Sequence, residues 1–269
     1  MPVRDEALFE WGGVSKTSPS NGDVIAVWFS CGAASAVAAK LTLEKYEGCE
    51  VRVLNNPIQE EDADNRRFLS DVEKWLSIEI EIVLNPKHSH RSAKKIWDEK
   101  RFMSGTAGAP CTSILKKEAR AVWERKNHVD WHVLGFCLEE KERFNRFSLT
   151  ERPNTLPILI EAELTKQDCF NYLVKEGLRL PMAYYKGYPN ANCIGCVKAT
   201  SPTYWNHVRK TDPDIFRERA NQSRELGAKL ARFKGDRVFL DELPEDAVGR
   251  PMKSMNFECG IFCEEGDGE

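Results

Sequence analysis

The chain has 269 residues, 41% of them hydrophobic and 30% charged, with a formal net charge of −3. That is ordinary globular composition, enough for one sizeable α/β domain with an extension, and it gives no whole-surface attraction to nucleic acid or anionic membrane. No apolar run approaches the roughly 20 residues of a membrane-spanning helix, and residues 1–13 contain acids but no apolar core of a secretory signal. A cytoplasmic protein without membrane association is therefore expected. In that reducing setting, nine cysteines point to ligands or buried thiols in preference to disulfides.

Residues 1–22 read as a loose lead-in ending in the turn-rich Thr17-Ser18-Pro19-Ser20-Asn21-Gly22. The run 24–29 (VIAVWF) has no polar alternation, the pattern of a strand buried on both faces. It leads into Ser30-Cys31-Gly32-Ala33-Ala34-Ser35 and an alanine-rich helix to about Tyr46. A second strand follows at 51–54. Residues 62–76 read as an amphipathic helix with Phe68, Leu69, Val72 and Leu76 on one face, and 78–84 as a third strand with a wetter side. Helical patterns at 90–103 and 112–126 precede a fourth strand at 131–136 and a short fifth at 156–160. Thr165 and Asp168 form a capping-box-like start to a helix near Lys166. Strands alternating with helices of this length predict a Rossmann-like, mostly parallel sheet with helices on both faces. The expected layout is a nucleotide-binding α/β domain over 23–180, an irregular to helical cysteine-bearing region over 181–263, and an acidic tail over 264–269.

Ligands of open α/β sheets sit beyond the carboxyl ends of the strands, which is where Ser30–Ser35 falls. Its small residues let backbone approach an anion. The Ser30 and Ser35 hydroxyls, Gly32 and the first-turn N–H groups are candidate holders of phosphate or sulfate oxygens; a tight turn without ligand is the plain alternative. The basic stretch from Lys87 to Arg101 admits the same two readings, an anion-facing segment or a solvated face.

Cys193-Ile194-Gly195-Cys196 has the spacing for two thiolates on one metal centre, with a glycine that lets backbone N–H groups turn toward sulfur. Cys111 follows Pro110 at a helix start, where the macrodipole favours a thiolate. Cys259 and Cys263 lie near the C-terminus. Three or four of these can surround one iron–sulfur cluster or one zinc. Cys49, Cys137 and Cys169 read as small buried apolar residues, while Cys31, inside the anion loop, is open to a reactive role.

The order of these segments resembles the phosphoadenosine phosphosulfate reductase family of the adenine nucleotide α-hydrolase-like (PP-loop) group. It runs from strand–S-x-G-x-x-S–helix through Pro110-Cys111, then Gly187-Tyr188 before Cys193-x-x-Cys196, then Glu258-Cys259-Gly260-Ile261. The similarity extends over about 24–263. It implies that Asn55, with Asn56, Glu60, Glu61 and Arg67-Phe68, belongs to the region reading the adenine edge, and that Gly135 to Arg143 matches the family's G-x-R-x-x-E-S segment. It further implies a [4Fe–4S] cluster on Cys111, Cys193 and Cys196, with zinc as rival metal. Cys263 is the first choice for fourth ligand, ahead of an exogenous one. By the same resemblance Cys259 is the nucleophile attacking the sulfonate sulfur of an adenine nucleotide substrate, with a thioredoxin-like reductant. Phe262 stands where the family has histidine, and Cys31, Ala33 and Ala34 depart from the ATP pyrophosphatase pattern S-G-G-x-D-S. The readings carried forward are an oxidoreductase releasing sulfite from a sulfonucleotide, a cluster-dependent, ATP-using sulfurtransferase acting on nucleic acid, and a nucleotide- and metal-binding module without turnover.

Overall fold

The computed structural model describes residues 18–106 and 108–252. Strands β1 (Val24–Phe29), β2 (Glu50–Asn55), β3 (Glu81–Ile82), β4 (Trp131–Val133) and β5 (Thr155–Leu156) form one parallel sheet in the order β3-β2-β1-β4-β5. The chain steps outward from β1 through β2 to β3, then returns to β1's other side with β4. The strand order thus reverses at β1 and β4, opening a crevice beyond their carboxyl ends.

Side-chain alternation along β1 supplies two cores. Ile25, Val27 and Phe29 face helices α1 (Ala33–Lys45), α2 (Asn65–Leu76) and α7 (Lys166–Lys175). Ala26 and Trp28 face the other way, onto Ala119 and Trp123 of α4 (Ala119–Glu124). The apolar run of β1 follows from being covered on both sides. Alanines at 36, 38 and 39 have no exposed surface and let α1 lie close on the sheet.

Several boundaries differ from expectation for local reasons. The α2 helix starts three residues late because Asp62 accepts from the Asp64 N–H in a turn of its own. The third strand keeps only two paired residues, since the Ile80 N–H is taken by the Glu73 carboxylate. The fifth ends at Leu156: Pro157 supplies no N–H to the ladder, and α6 (Ile158–Glu161) begins where strand was expected. Ser92 caps α3 (Ala93–Lys100), accepting from the Lys95 N–H. The segment from 112 is π-helical over Thr112–Glu118 before α4, a form that recurs near functional sites. The capping box at Thr165 and Asp168 is present with both reciprocal bonds, at 3.1 and 2.9 Å.

The chain beyond Gly177 is more regular than its sequence suggests. It forms α5's successors α8 (Met182–Tyr185), α9 (Pro202–Thr211) and α10 (Pro213–Glu225), α5 being Lys141–Thr150, and then the hairpin β6 (Ala231–Phe233)–β7 (Asp236–Val238). A third apolar cluster joins α9, α10 and Leu240 to Ile96 and Trp97 of α3 and to Ile114 and Leu115. Residues between β3 and β4 therefore pack with the C-terminal helices, which is what carries Cys111 toward the C-x-x-C turn. Among the described residues, no helix is long and apolar enough to cross a membrane.

Candidate nucleotide pocket and cysteine site

A pocket of about 580 Å³ opens at the sheet reversal. Its walls include Ser30, Gly32 and Ser35 after β1, Gly135 after β4, and Arg143. All five are residues the sequence singles out. Gly135 is there because nothing larger fits: a Cβ on it would lie 2.8 Å from the Ser35 nitrogen and 3.0 Å from the Ala34 carbonyl carbon. The end of β4 rests directly on the first turn of α1.

The loop is held from within. The Ser35 hydroxyl donates to the Gly32 carbonyl at 2.9 Å and accepts from the Ser30 N–H at 3.1 Å, so it shapes the loop before it can serve a ligand. The Tyr184 hydroxyl accepts from the Ala33 N–H at 3.2 Å. The Ala191 N–H also faces it, and burial pushes its own pKa up to about 12. One phenol thus ties the anion loop to the segment entering the cysteine turn. Ser30 is exposed at the pocket mouth.

Three expectations need correction here. Asn55 does not line the pocket. It is buried beneath the loop, donating to the Phe29 carbonyl at 2.9 Å and to the Cys31 sulfur at 3.6 Å. Cys31 is not poised to react: it is 3% exposed in a left-handed backbone conformation, and burial, then the Glu61 carboxylate, push its thiol pKa far up. The acidic loop also faces away from the pocket. Glu60 accepts from the Ser92 hydroxyl and the Ala93 and Lys94 N–H groups, capping α3, and Glu61 pairs with Lys116 at 3.3 Å. Arg67 is engaged by Asp64 and Asp71, and Phe68 is core. With Glu60 on the α3 N-terminus and Lys94 paired to Glu218, the 87–101 stretch takes the solvated reading. Of the plain thiols, Cys137 and Cys169 are buried in mutual contact, whereas Cys49 is half-buried and donates to the Ser20 carbonyl at 3.3 Å.

The lining runs on through Asn190, Ala191 and Asn192 into Cys193. Gly195 takes φ +66°, and a Cβ there would meet Ile215 at 3.1 Å; the turn needs glycine for both conformation and space. The Cys196 N–H donates to the Tyr204 hydroxyl at 2.9 Å, and the Ile194 N–H to the Glu60 carbonyl at 3.1 Å. Tyr204 thus braces the turn, while Trp205 is fully buried and donates to the Ala199 carbonyl.

Cys111 comes to this turn from the other side. Cys111 and Cys193 pack on the same apolar cluster, and Cys196 lies near enough to oppose ionisation of the Cys111 thiol. The helix-start argument for a Cys111 thiolate is overridden by burial, which raises its pKa; Cys193 is raised further for the same reason. Around these thiols lie groups with unmet demands. The Trp97 indole N–H sits beside the Cys111 sulfur without a hydrogen bond of ordinary geometry. Arg219 is 1% exposed, stacked 4.4 Å over Trp97, with its Nε unpartnered and Cys193 nearby. Lys116 stands between Glu61 and Cys193. A buried guanidinium, a half-buried lysine and an idle N–H beside Cys111 and Cys193 suit an anionic, thiolate-ligated centre.

Among the described residues, only His88, His90 and Glu99 bring three such ligand atoms within 4.8 Å of one another. The Ser92 N–H donates to His90 Nδ1 at 3.0 Å, which leaves that ring's proton on Nε2, the nitrogen facing Glu99. The three thiols are spread more widely than the ~3.8 Å between thiolates on one zinc. Cys259 and Cys263, expected as nucleophile and fourth ligand, lie outside the described residues.

Sequence reasoning missed Trp97, Arg120 and Arg219. None has a spacing signal, because each acts on residues distant in the chain. Among known proteins, no family model and no curated protein matches this chain. A solved structure does: the U34-tRNA thiolase NcsA from Methanococcus maripaludis with its [4Fe–4S] cluster, 13% identical over 77% of this chain and 72% of its own, with a TM-score of 0.44. That similarity is too slight to carry residues or activity across.

Proposed function

We propose that the chain is an ATP-using sulfurtransferase acting on nucleic acid, with a [4Fe–4S] cluster on Cys111, Cys193 and Cys196. The observation supporting this reading is that Cys111 and Cys193 pack on one apolar cluster, with Trp97, Arg219 and Lys116 beside them, and that the C-x-x-C turn follows directly on the pocket-lining residues Asn190, Ala191 and Asn192. When bound, a cluster on three thiolates supplies an iron with an open coordination position. The protein's own residues would do the rest. Ser30 and the first-turn N–H groups of α1 would hold phosphate oxygens. Tyr184 would keep that loop in register with the cysteine turn. Lys116, Arg219 and Trp97 would stabilise negative charge on the thiolates.

In the reaction, an oxygen of the base attacks the ATP α-phosphate, forming a C–O–AMP ester and releasing pyrophosphate. A hydrosulfide-class donor then attacks that carbon, so a C–S bond forms as the C–O bond breaks and AMP leaves. Sulfonucleotide reduction instead depends on Cys259.

Anaerobically purified protein should absorb near roughly 400 nm and form thiolated nucleoside from ATP, sulfide and bulk RNA. Cys193→Ser should lose both properties, while Cys259→Ser should keep them. Sulfite release from a sulfonucleotide with reduced thioredoxin, abolished by Cys259→Ser and without nucleoside thiolation, would reverse the assignment.

A further inference from the structure

Several cations are already occupied. Arg143 pairs with Glu140 at the pocket rim. Arg209 holds the Leu240 and Leu243 carbonyls, and Arg217 pairs with Asp214. Lys166, also in the lining, is bound to the Pro189 carbonyl and to Asn190. Arg120 differs from all of these. It lines the pocket from α4, with its guanidinium 5.0 Å over the Trp28 ring and its Nε donating to the Asn56 Oδ1 at 3.3 Å. Among the described residues it has no carboxylate within ion-pair distance. Glu124 and Glu151 attract it from farther off, but they are engaged by Arg152 and Lys117 at 2.8 and 2.9 Å. Arg152 adds a like charge.

A guanidinium held this way is costly unless an anion joins it. Its guanidinium is held at Nε by Asn56 and by the indole face, so its terminal N–H groups are already oriented. Trp28, which orients it, precedes the anion loop by one residue of β1 and lines the same pocket.

We propose that Arg120 is a phosphate-binding residue of this pocket, completing from α4 the anion site that the Ser30–Ser35 loop begins. It forms a charge-assisted, two-pronged contact to phosphate oxygens. The assignment deepens the nucleotide reading of the pocket and is independent of what the cysteine site does.

The test is calorimetric titration of the full chain, wild type and Arg120→Gln, with ATP, pyrophosphate and adenosine. Thermal unfolding checks that the variant folds. The expected result is a loss of about 30-fold in ATP and pyrophosphate affinity, with adenosine binding unchanged and Arg120→Lys intermediate. Equal ATP affinity in Arg120→Gln overturns the proposal. So does equal weakening of adenosine, which would mean a purely structural role, and so does a wild type that binds no phosphate-bearing probe. If Arg120→Gln does not fold, Arg120→Lys against pyrophosphate decides alone, with no change in affinity counting against the proposal. Pyrophosphate bound through Arg120 without any nucleotide binding keeps this assignment and rejects the nucleotide reading.

Discussion

The anion loop and the cysteine turn lie next to each other but are made in different ways. The loop is local: Ser30, Gly32 and Ser35 lie within six residues, their geometry set by a strand end, a helix start and hydrogen bonds inside the segment. The proposed cysteine site is not local: Cys111 and Cys193 are brought onto one apolar cluster that recruits α3, the π-helical stretch and α9–α10. A local site keeps its shape if its backbone does. An assembled site depends on packing far from its ligands.

The sharpest way to break this contrast is Gly135→Val. Its side chain would enter the α1 backbone, at a cost of about 3 kcal/mol in stability. Nucleotide affinity should fall steeply in titration while iron content per chain stays near wild type. Loss of iron as well would show that the two regions share one support.

A second test is acid unfolding. His132 lies in β4 with both ring nitrogens facing donors, the Trp28 indole at 3.2 Å and Arg152 at 2.8 Å. Burial first, then Arg152 and Arg120, lower its pKa from 6.5 to about 3. Between those values the unfolded chain holds a proton that the folded chain refuses, so stability is lost as pH falls through that window. His132→Gln should flatten denaturant-derived stability there by about 1.4 kcal/mol per pH unit. An unchanged slope removes His132 from the acid response.

The smallest effects separate two phenols. Tyr204→Phe removes the acceptor for the Cys196 N–H and should cost about 1 kcal/mol. It should speed iron loss to a chelator and leave nucleotide affinity alone. Tyr184→Phe, by comparison, should disturb both readouts, since that hydroxyl accepts from the Ala33 N–H and faces the Ala191 N–H.

Much of this protein is legible from residue order because it rests on short-range rules. The unbroken apolar run of β1 announces a strand covered on both faces, and the positions of Ser30, Gly32 and Ser35 follow from chain direction alone. Thr165 and Asp168 cap a helix regardless of what surrounds it. The C-x-x-C turn with its glycine is local in the same sense. Errors arose where a residue's role depends on what faces it. Asn55 and Cys31 are polar or reactive by type, yet burial under the loop makes both structural. The Cys111 helix start favours a thiolate only until desolvation is counted. Arg143 and Arg120 are equivalent as letters, and only packing leaves one paired at the rim and the other unpaired against Trp28. Residue order by itself determined the sheet, the loop and the cysteine turn, since hydrogen-bonding and hydrophobic periodicity act between near neighbours. Only the tertiary structure decided which charges go unanswered and which thiols meet, because burial and long-range electrostatics are properties of surroundings that no single segment carries.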